Sequence, residues 1–377
     1  TTNFLAFKPL PRAALLVAAL AILAPQPLTA QAPSAPAPAW SPGTEYEGAA
    51  ALGLALRRLG PTPRVLMIAA HPDDENTSVL AALALGQGAD VAYLSLTRGE
   101  GGQNGIGPEL QEAMGLIRSE ELLAARRLDG AGQFFSRAYD YGFSKSADEA
   151  FTHWPRDSVL ADVVAVIRAY RPDVVLPIFG GTPADGHGQH QAAGIVAREA
   201  FYAAGDPDRF PEQVARGLAP HRPAALYQAR WRGGSGEAIT LSTGDYDPLL
   251  GWSYHQIALE SRGRHRSQDM GRALTPGPQR TLLTPIDTPA DASADAPGGA
   301  NASIFDGIPT TLAGRARALP DGAGAMTASV RDRLVALFEE YAAAARTVRE
   351  RFNPLAPGAI VPDLAGMLAR LEEADAL

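Results

Sequence analysis

Four consecutive apolar residues, Val65-Leu66-Met67-Ile68, run directly into Ala69-Ala70-His71-Pro72-Asp73-Asp74-Glu75. A strand with one wet face alternates apolar and polar side chains. One without alternation is buried on both faces, as in a parallel sheet covered by helices on either side. The polar string therefore sits at the mouth of a buried strand, with Pro72 stiffening the turn between His71 and Asp74. A divalent metal needs ligands gathered on one side, and a hydrolytic site also needs a carboxylate that is not tied up on the ion. Of Asp73 and Asp74, one can bind an ion while the other handles protons. The same residues also read as a polar turn in which Asp73 or Asp74 caps a helix starting near Glu75. Capping alone does not account for the histidine.

The strand–helix alternation continues along the chain. Strands are predicted at 64–70, 89–96, 133–138, 173–179 and 224–230, and helices at 46–59, 75–85, 108–128, 158–170, 188–204 and 251–264. The helix at 108–128 starts acidic and ends in Arg126-Arg127, which suits the helix dipole. This order predicts an α/β fold: a Rossmann-like, mostly parallel sheet with helices on both faces. Residues 276–299 are rich in Pro, Ala and Asp and are expected to be loop. Amphipathic helices at 327–351 and 364–374 make a C-terminal helical extension without recognisable chemistry. The expected divisions are a leader at 1–30, a Pro/Ala-rich linker at 31–43, the main domain at 44–270, a loop-rich segment at 271–326 and the helices at 327–377.

Composition narrows the function. Hydrophobic residues at 46% of 377 are ample for a core, and the formal charge of −8 argues against a nucleic-acid partner and against attraction to anionic membranes. With no cysteine, disulfides, iron–sulfur clusters, thiolate zinc sites and a cysteine nucleophile are excluded. Lys8 and Arg12, the apolar run Ala13–Ala24 and the small residues leading to Ala30 have the layout of a secretory signal peptide. Cleavage is expected after Ala30, giving an exported protein, periplasmic or secreted, with no stable membrane insertion; an uncleaved anchor is the alternative. Nothing in the sequence speaks to oligomeric state.

After the predicted strand at 173–179 comes Gly180-Gly181-Thr182-Pro183-Ala184-Asp185-Gly186-His187-Gly188-Gln189-His190. In open parallel sheets, sites form outside the carboxyl ends of the strands. Both polar motifs fall at such ends, so they can meet in space. One histidine of this pair, with His71 and Asp74, would complete a two-histidine, one-carboxylate set with an open position for water. The other, off the metal, could be protonated and face the substrate.

On these residues the chain resembles the PIG-L/LmbE family of zinc-dependent N-acetylglucosaminyl deacetylases. The likeness runs from about Leu59 to Met270 and is carried by residues 65–75, 97–129 and 171–190, more weakly by 262–268. Thr97-Arg98-Gly99-Glu100-Gly101-Gly102-Gln103-Asn104 and the stretch 134–146 look most like larger exported members. The resemblance implies His71, Asp74 and His190 as metal ligands, Asp73 as catalytic base and His187 as the residue that steadies the oxyanion. It implies zinc, with iron(II) also acceptable to such a ligand set. Arg118, in Ile117-Arg118-Ser119-Glu120-Glu121, matches a sugar-contacting position, and Glu100 is a second candidate contact. Some members carry a tyrosine two residues before the first histidine of the pair. Here that position is Asp185, which puts a tyrosine-assisted step in doubt and makes Asp185 a candidate determinant of acyl or sugar preference.

Other features weigh less. The glycine-rich loop 99–107 lacks the Lys-Ser/Thr of a P-loop and is expected to face substrate or simply turn. Tyr139-Asp140-Tyr141-Gly142-Phe143 suits a sugar wall or core packing. His265 is explained equally by a family segment and by surface polarity, while His153, His221 and His255 read as structural or exposed. Ser78 and Ser95 have no histidine-linked motif, so serine hydrolase chemistry has no support. The expected activity is removal of an N-acetyl group from an amino sugar, on a small molecule or glycan. The rivals are an amidase of the same mechanism on a non-sugar N-acyl substrate and a carbohydrate-binding protein without catalysis.

Overall fold

The structure is a computed structural model and describes residues 44–60, 63–229, 238–271, 273–289, 302–319 and 327–377. The expected leader and linker lie outside the described residues. Helix α1 (Gly48–Arg57) precedes β1 (Arg64–Ala69), α2 (Thr77–Ala81, running into a π-helical turn at Ala82–Gly86), β2 (Asp90–Ser95), α3 (Glu112–Asp129) and β3 (Gly132–Phe135). The chain then returns through α4 (Ala147–His153) and α5 (Arg156–Tyr170) to β4 (Val174–Pro177), α6 (Gly188–Ala203), α7 (Pro211–Ala215) and β5 (Ala225–Gln228). After them come β6 (Ile239–Ser242), the short hairpin β7 (Tyr246–Asp247) and β8 (Trp252–Ser253), α8 (Tyr254–Arg262) and β9 (Arg280–Asp287). Helices α9 (Leu312–Arg317), α10 (Ala328–Arg351) and α11 (Val361–Asp375) end the described chain.

The seven-stranded sheet has the order β3-β2-β1-β4-β5-β9-β6. Its first five strands are parallel, and β9 adds antiparallel to β5 and to β6. Strand order reverses between β1 and β4. There the connections leave in opposite directions and open a crevice at the carboxyl ends.

Side-chain alternation along β1 explains its unbroken apolar run. Leu66 and Ile68 join Val163, Ile167, Val196 and Phe201 of α5 and α6 on one face. Val65 and Met67 join Val79, Leu83 and Leu122 of α2 and α3 on the other. All four strand residues are no more than 1% exposed, and each such side chain contributes about 1.5–3 kcal/mol of burial. The C-terminal helices form a separate apolar cluster with α1, built on Leu56, Tyr341, Ala345, Val348 and Met367.

Two expectations are corrected. The helix expected from Glu75 starts at Thr77, capped by Asn76, whose Oδ1 accepts the Val79 amide at 3.2 Å. Neither Asp73 nor Asp74 is the cap; both side chains are engaged in the turn. The expected loop at 276–299 contains β9, whose Leu283 is fully buried. Its pairing partners lie far away in sequence, and Pro285 within it, having no amide hydrogen, pairs with Tyr227 where the register slips by a bulge. Local composition carries neither signal.

Candidate metal centre and active site

The chain leaves β1 through Ala70 and turns sharply. The His71 amide donates to Asp74 Oδ2 at 2.7 Å and the Asp74 amide to the His71 carbonyl at 3.3 Å, folding Asp74 back over His71. Tyr93 of β2 donates to the same His71 carbonyl at 2.6 Å. Between them Asp73 takes φ +100°, left-handed backbone that costs a non-glycine residue on the order of 1–3 kcal/mol. That strain is over-determined. The Asp73 amide donates to Glu75 Oε2 at 2.9 Å, its carbonyl accepts from Arg262 at 3.0 Å and its carboxylate accepts from Arg118 at 2.9 Å.

After β4 the chain makes a 3₁₀ turn at Pro183–Asp185 and enters α6 with His187 as N-cap. This brings His190 to the β1 turn: its Nε2 lies 3.4 Å from Asp74 Oδ1. His190 Nδ1 faces the Asp185 carbonyl at 3.3 Å and its ring stacks on Phe179 at 4.0 Å. Because a carbonyl can only accept, the proton sits on Nδ1 and the Nε2 lone pair points inward. On His71, Nε2 is 2.8 Å from Gln189 Oε1. Gln189 donates its amide hydrogens to the Gly142 carbonyl at 2.8 Å and Asp140 Oδ1 at 3.2 Å, so its oxygen is left as an acceptor. His71 Nδ1, 3.1 Å from Asp74 Oδ2, is thereby left bare.

Two imidazole lone pairs and a carboxylate thus converge, with ligand atoms of His71, Asp74 and His190 all within 4.8 Å of one another. Such a set repels itself unless a proton or a cation sits among it. The titration behaviour says the same. Burial pushes the His71 ring down, but Asp74 and Asp140 outweigh it and raise it to about 9. Burial likewise opposes ionisation of Asp74, and the His190 and His71 rings overcome it and hold the carboxyl well below its usual range. A divalent ion would replace those protons, which is how metal binding and pKa are coupled. The donor set fits a metal of the zinc type.

Around this centre lies a cavity of about 350 Å³, with His71, Asp73, Asp74, His187 and His190 among its lining. Asp73 stands beside the ligand set but outside it. Burial raises its carboxyl, against the pull of Arg118 and with help from Asp74. His187 Nδ1 accepts the Gln189 amide at 3.2 Å, so a neutral ring carries its proton on Nε2. The sequence allowed a protonated ring here. Burial first, then the neighbouring His71 and His190, lower it instead to about 4, leaving a neutral donor.

The structure distributes the remaining expected site residues unevenly. Arg118 lines the cavity. Glu100 does not: its carboxylate accepts the amides of Arg98 at 3.2 Å and Asp140 at 3.1 Å, stitching the glycine loop to residue 140 from behind. Asp185 does not line it either, because its carboxylate accepts the Gly180 and Thr182 amides at 3.1 and 2.8 Å within its own turn. Gly101, Gly102 and Gln103 do face the cavity, as expected of a substrate-facing loop. A Cβ on Gly101 would lie 2.2 Å from the Gly142 amide, so only glycine lets these two walls close.

Sequence reasoning missed several contributors. Asp140 and Phe143, within the stretch read as sugar wall or core packing, line the cavity, but Gln268, which also lines it, and Gln189, which orients His71, have no site role in the sequence reading. His265 is fully buried, with Nε2 2.9 Å from Glu75 Oε1. The one available signal was Gln189 between the two histidines, since a helix N-terminus at a ligand carries second-layer partners at neighbouring positions.

A family model described as PIG-L: GlcNAc-PI de-N-acetylase matches residues 66–201. The 1D-myo-inositol 2-acetamido-2-deoxy-alpha-D-glucopyranoside deacetylase of Geodermatophilus obscurus is 33% identical over 170 residues, covering 40% of this chain and 57% of its own. That of Rhodococcus opacus is 35% identical over 167 residues, with coverages of 40% and 56%. The mycothiol S-conjugate amidase of Streptomyces coelicolor is 29% identical over 165 residues, with coverages of 40% and 55%. The chain spans a little over half the length of these curated relatives. The matched stretch holds both turns of the site and the sheet-order reversal between them, and over residues 66–201 the chain is similar to the PIG-L family.

Proposed function

We propose that the protein is a zinc-dependent N-deacetylase that hydrolyses the N-acetyl group of an amino sugar. The observation that carries this is Asp73: a half-buried carboxylate, beside three convergent ligands but not one of them, inside the same cavity. His71, Asp74 and His190 would hold the ion, which when bound supplies Lewis acidity and lowers the pKa of water. Asp73 accepts the proton of the attacking water and returns it to the departing amine nitrogen. His187 Nε2–H donates to the carbonyl oxygen as charge develops there. The products are an amine and acetate.

The sugar reading draws on the cavity walls and on the names of the relatives. Phe143 is 73% exposed at the cavity, with its ring 5.1 Å from that of His187, which suits stacking on the apolar face of a sugar ring. Arg118 lines the same cavity, a guanidinium that can meet sugar hydroxyls while Asp73 and the Pro72 carbonyl hold its other edge. Two of the relatives are named as deacetylases of an N-acetylglucosaminyl inositol. The second reading, an amidase acting on a non-sugar N-acyl group, draws on the relative named as an amidase. Export by a cleaved leader and the absence of a nucleic-acid partner complete the proposal, on the charge and the residues already described.

Acetate release from a panel of N-acetylated sugars and N-acetyl amino acids, with and without chelator, tests it. Sugars should be the better substrates, chelator should abolish turnover and added zinc should restore it. Asp74→Ala and His190→Ala should each lose the ion. Full metal occupancy in both variants would remove the ligand assignment, and faster hydrolysis of N-acetyl amino acids than of any sugar would promote the second reading.

A further inference from the structure

The turn that holds Asp73 is secured from a part of the chain that lies beyond the family match. Arg262, the last residue of α8, donates to the Asp73 carbonyl at 3.0 Å. Three residues on, His265 Nε2 donates to Glu75 Oε1 at 2.9 Å, and Glu75 Oε2 in turn accepts the Asp73 amide at 2.9 Å. Glu75 and His265 are both fully buried, so no solvent stands in for either partner. Arg126 of α3 donates to the same Glu75 oxygen at 3.1 Å. Asp73 sits at φ +100°, a backbone state that an aspartate does not hold unaided. Its peptide units are therefore gripped at both ends by residues 262–265.

We infer that Arg262 and His265 are positioning residues for Asp73, which fix its backbone so that its carboxylate stays beside the ligand set and off it. The inference rests on the reading of Asp73 as the base. Neither residue touches the cavity, so neither is catalytic. Misplacing a reacting group by about 1 Å can lower turnover on the order of a hundredfold, and a carboxylate released from this turn could move by that much.

The test uses full-length, zinc-loaded protein in three variants. His265→Leu fills the space without a donor, His265→Gln restores a donor near Nε2, and Arg262→Ala removes the half-buried guanidinium. His265→Leu and Arg262→Ala should each lower kcat about tenfold to a hundredfold, with KM within about threefold and zinc content unchanged. His265→Gln should recover most of the loss. A mere packing role predicts the reverse order, because leucine suits a dry pocket better than glutamine does, so Leu matching or exceeding Gln overturns the inference. Hydrogen–deuterium exchange of the peptide spanning 71–76 reports on the same grip without substrate. It should quicken in His265→Leu and in Arg262→Ala. Unchanged exchange overturns the inference, as does quickened exchange with wild-type kcat. Should His265→Leu fail to fold, Arg262→Ala carries both readouts. If the wild-type protein hydrolyses none of the amides, the deacetylase reading falls while exchange still decides whether the grip exists.

Discussion

The turns after β1 and β4 satisfy their polar groups differently. In residues 70–76 the internal contacts among His71, Asp73, Asp74 and Glu75 are backed by partners from elsewhere: Tyr93 of β2, Arg118 and Arg126 of α3, Arg262 of α8 and His265 beyond it. In residues 179–187 they come mostly from within or from the adjoining helix start, with Asp185 serving Gly180 and Thr182 and His187 serving Gln189, and Ser144 a distant contact at 3.4 Å from His187 Nδ1. The first turn holds a strained aspartate and buried charge, and the second holds neither strain at a non-glycine residue nor a fully buried ion pair. Damage to the first should therefore spread from distant positions, and damage to the second should stay local. Five variants bear on that contrast.

The largest effect is expected at Asp73. Asp73→Asn keeps size and the Arg118 contact but cannot take a proton, so kcat should fall by about 10²–10⁴ with metal content unchanged. Near-normal turnover in a metal-replete variant would remove Asp73 as base and with it the reason for the strained turn.

Next comes the buried charge beneath it. Arg126 is fully buried and pairs with Glu75 at 3.1 Å and with Asp129 at 2.5 Å. Arg126→Met leaves two buried carboxylates short of a partner and should cost about 3–5 kcal/mol, seen as a lowered unfolding midpoint. Burial alone would raise the Glu75 carboxyl; His265 and Arg126 outweigh it and hold it below the ordinary range. The sign follows: Glu75 contributes its full stability above the unfolded carboxylate pKa of about 4.3, and loses it as pH falls through the lower folded value. Glu75→Gln should accordingly narrow the gap in stability between neutral and acid pH. An Arg126→Met variant as stable as wild type would put the first turn on the same self-contained footing as the second.

His187→Ala probes the second turn where it meets chemistry. Removing a neutral donor aimed at a developing oxyanion should lower kcat about 10²–10³-fold, and losing an N-cap should cost about 1 kcal/mol of stability. Metal content should hold, since the ring is not a ligand. If KM rises while kcat stays constant, His187 binds substrate rather than the transition state.

The same contrast explains what the sequence made legible. The ligands and the base sit on contiguous strings at strand ends, where an apolar run, a proline and paired histidines announce them locally. The mostly parallel sheet with helices on both faces followed from strand–helix alternation and the apolar runs of β1, β2 and β4, whereas the strand order is seen only in the structure. The supports of the first turn are scattered over α3, α8 and residue 265, and only the folded chain brings Glu75, Arg126 and His265 together; read in sequence, His265 fitted a family segment and an exposed polar position equally well. Strand β9 escaped for a related reason, being defined by pairing with distant β5 and β6 rather than by its own composition. Glu100 and Asp185 were visible as acids near the site, but which way a carboxylate faces depends on the backbone amides around it.

Asp185 gives the smallest and most discriminating effect. Its place in the second motif made it a candidate for tuning acyl or sugar preference, whereas its carboxylate accepts two amides of its own turn. The Thr182 amide is exposed, so water can replace the lost acceptor there in Asp185→Ala, while the part-buried Gly180 amide is left short of one. The cost should be about 1 kcal/mol, the size of a lost cap. The backbone carbonyl that orients His190 is untouched by the substitution, so metal content should be preserved. The ratio of kcat/KM for N-acetyl and N-propionyl versions of one sugar should change less than about twofold, because the side chain is directed into the turn and not into the cavity. Thermal unfolding together with that ratio decides the matter. A shift in preference of tenfold or more at unchanged stability would mean that the carboxylate turns toward substrate during the reaction, and the second turn would no longer count as self-contained.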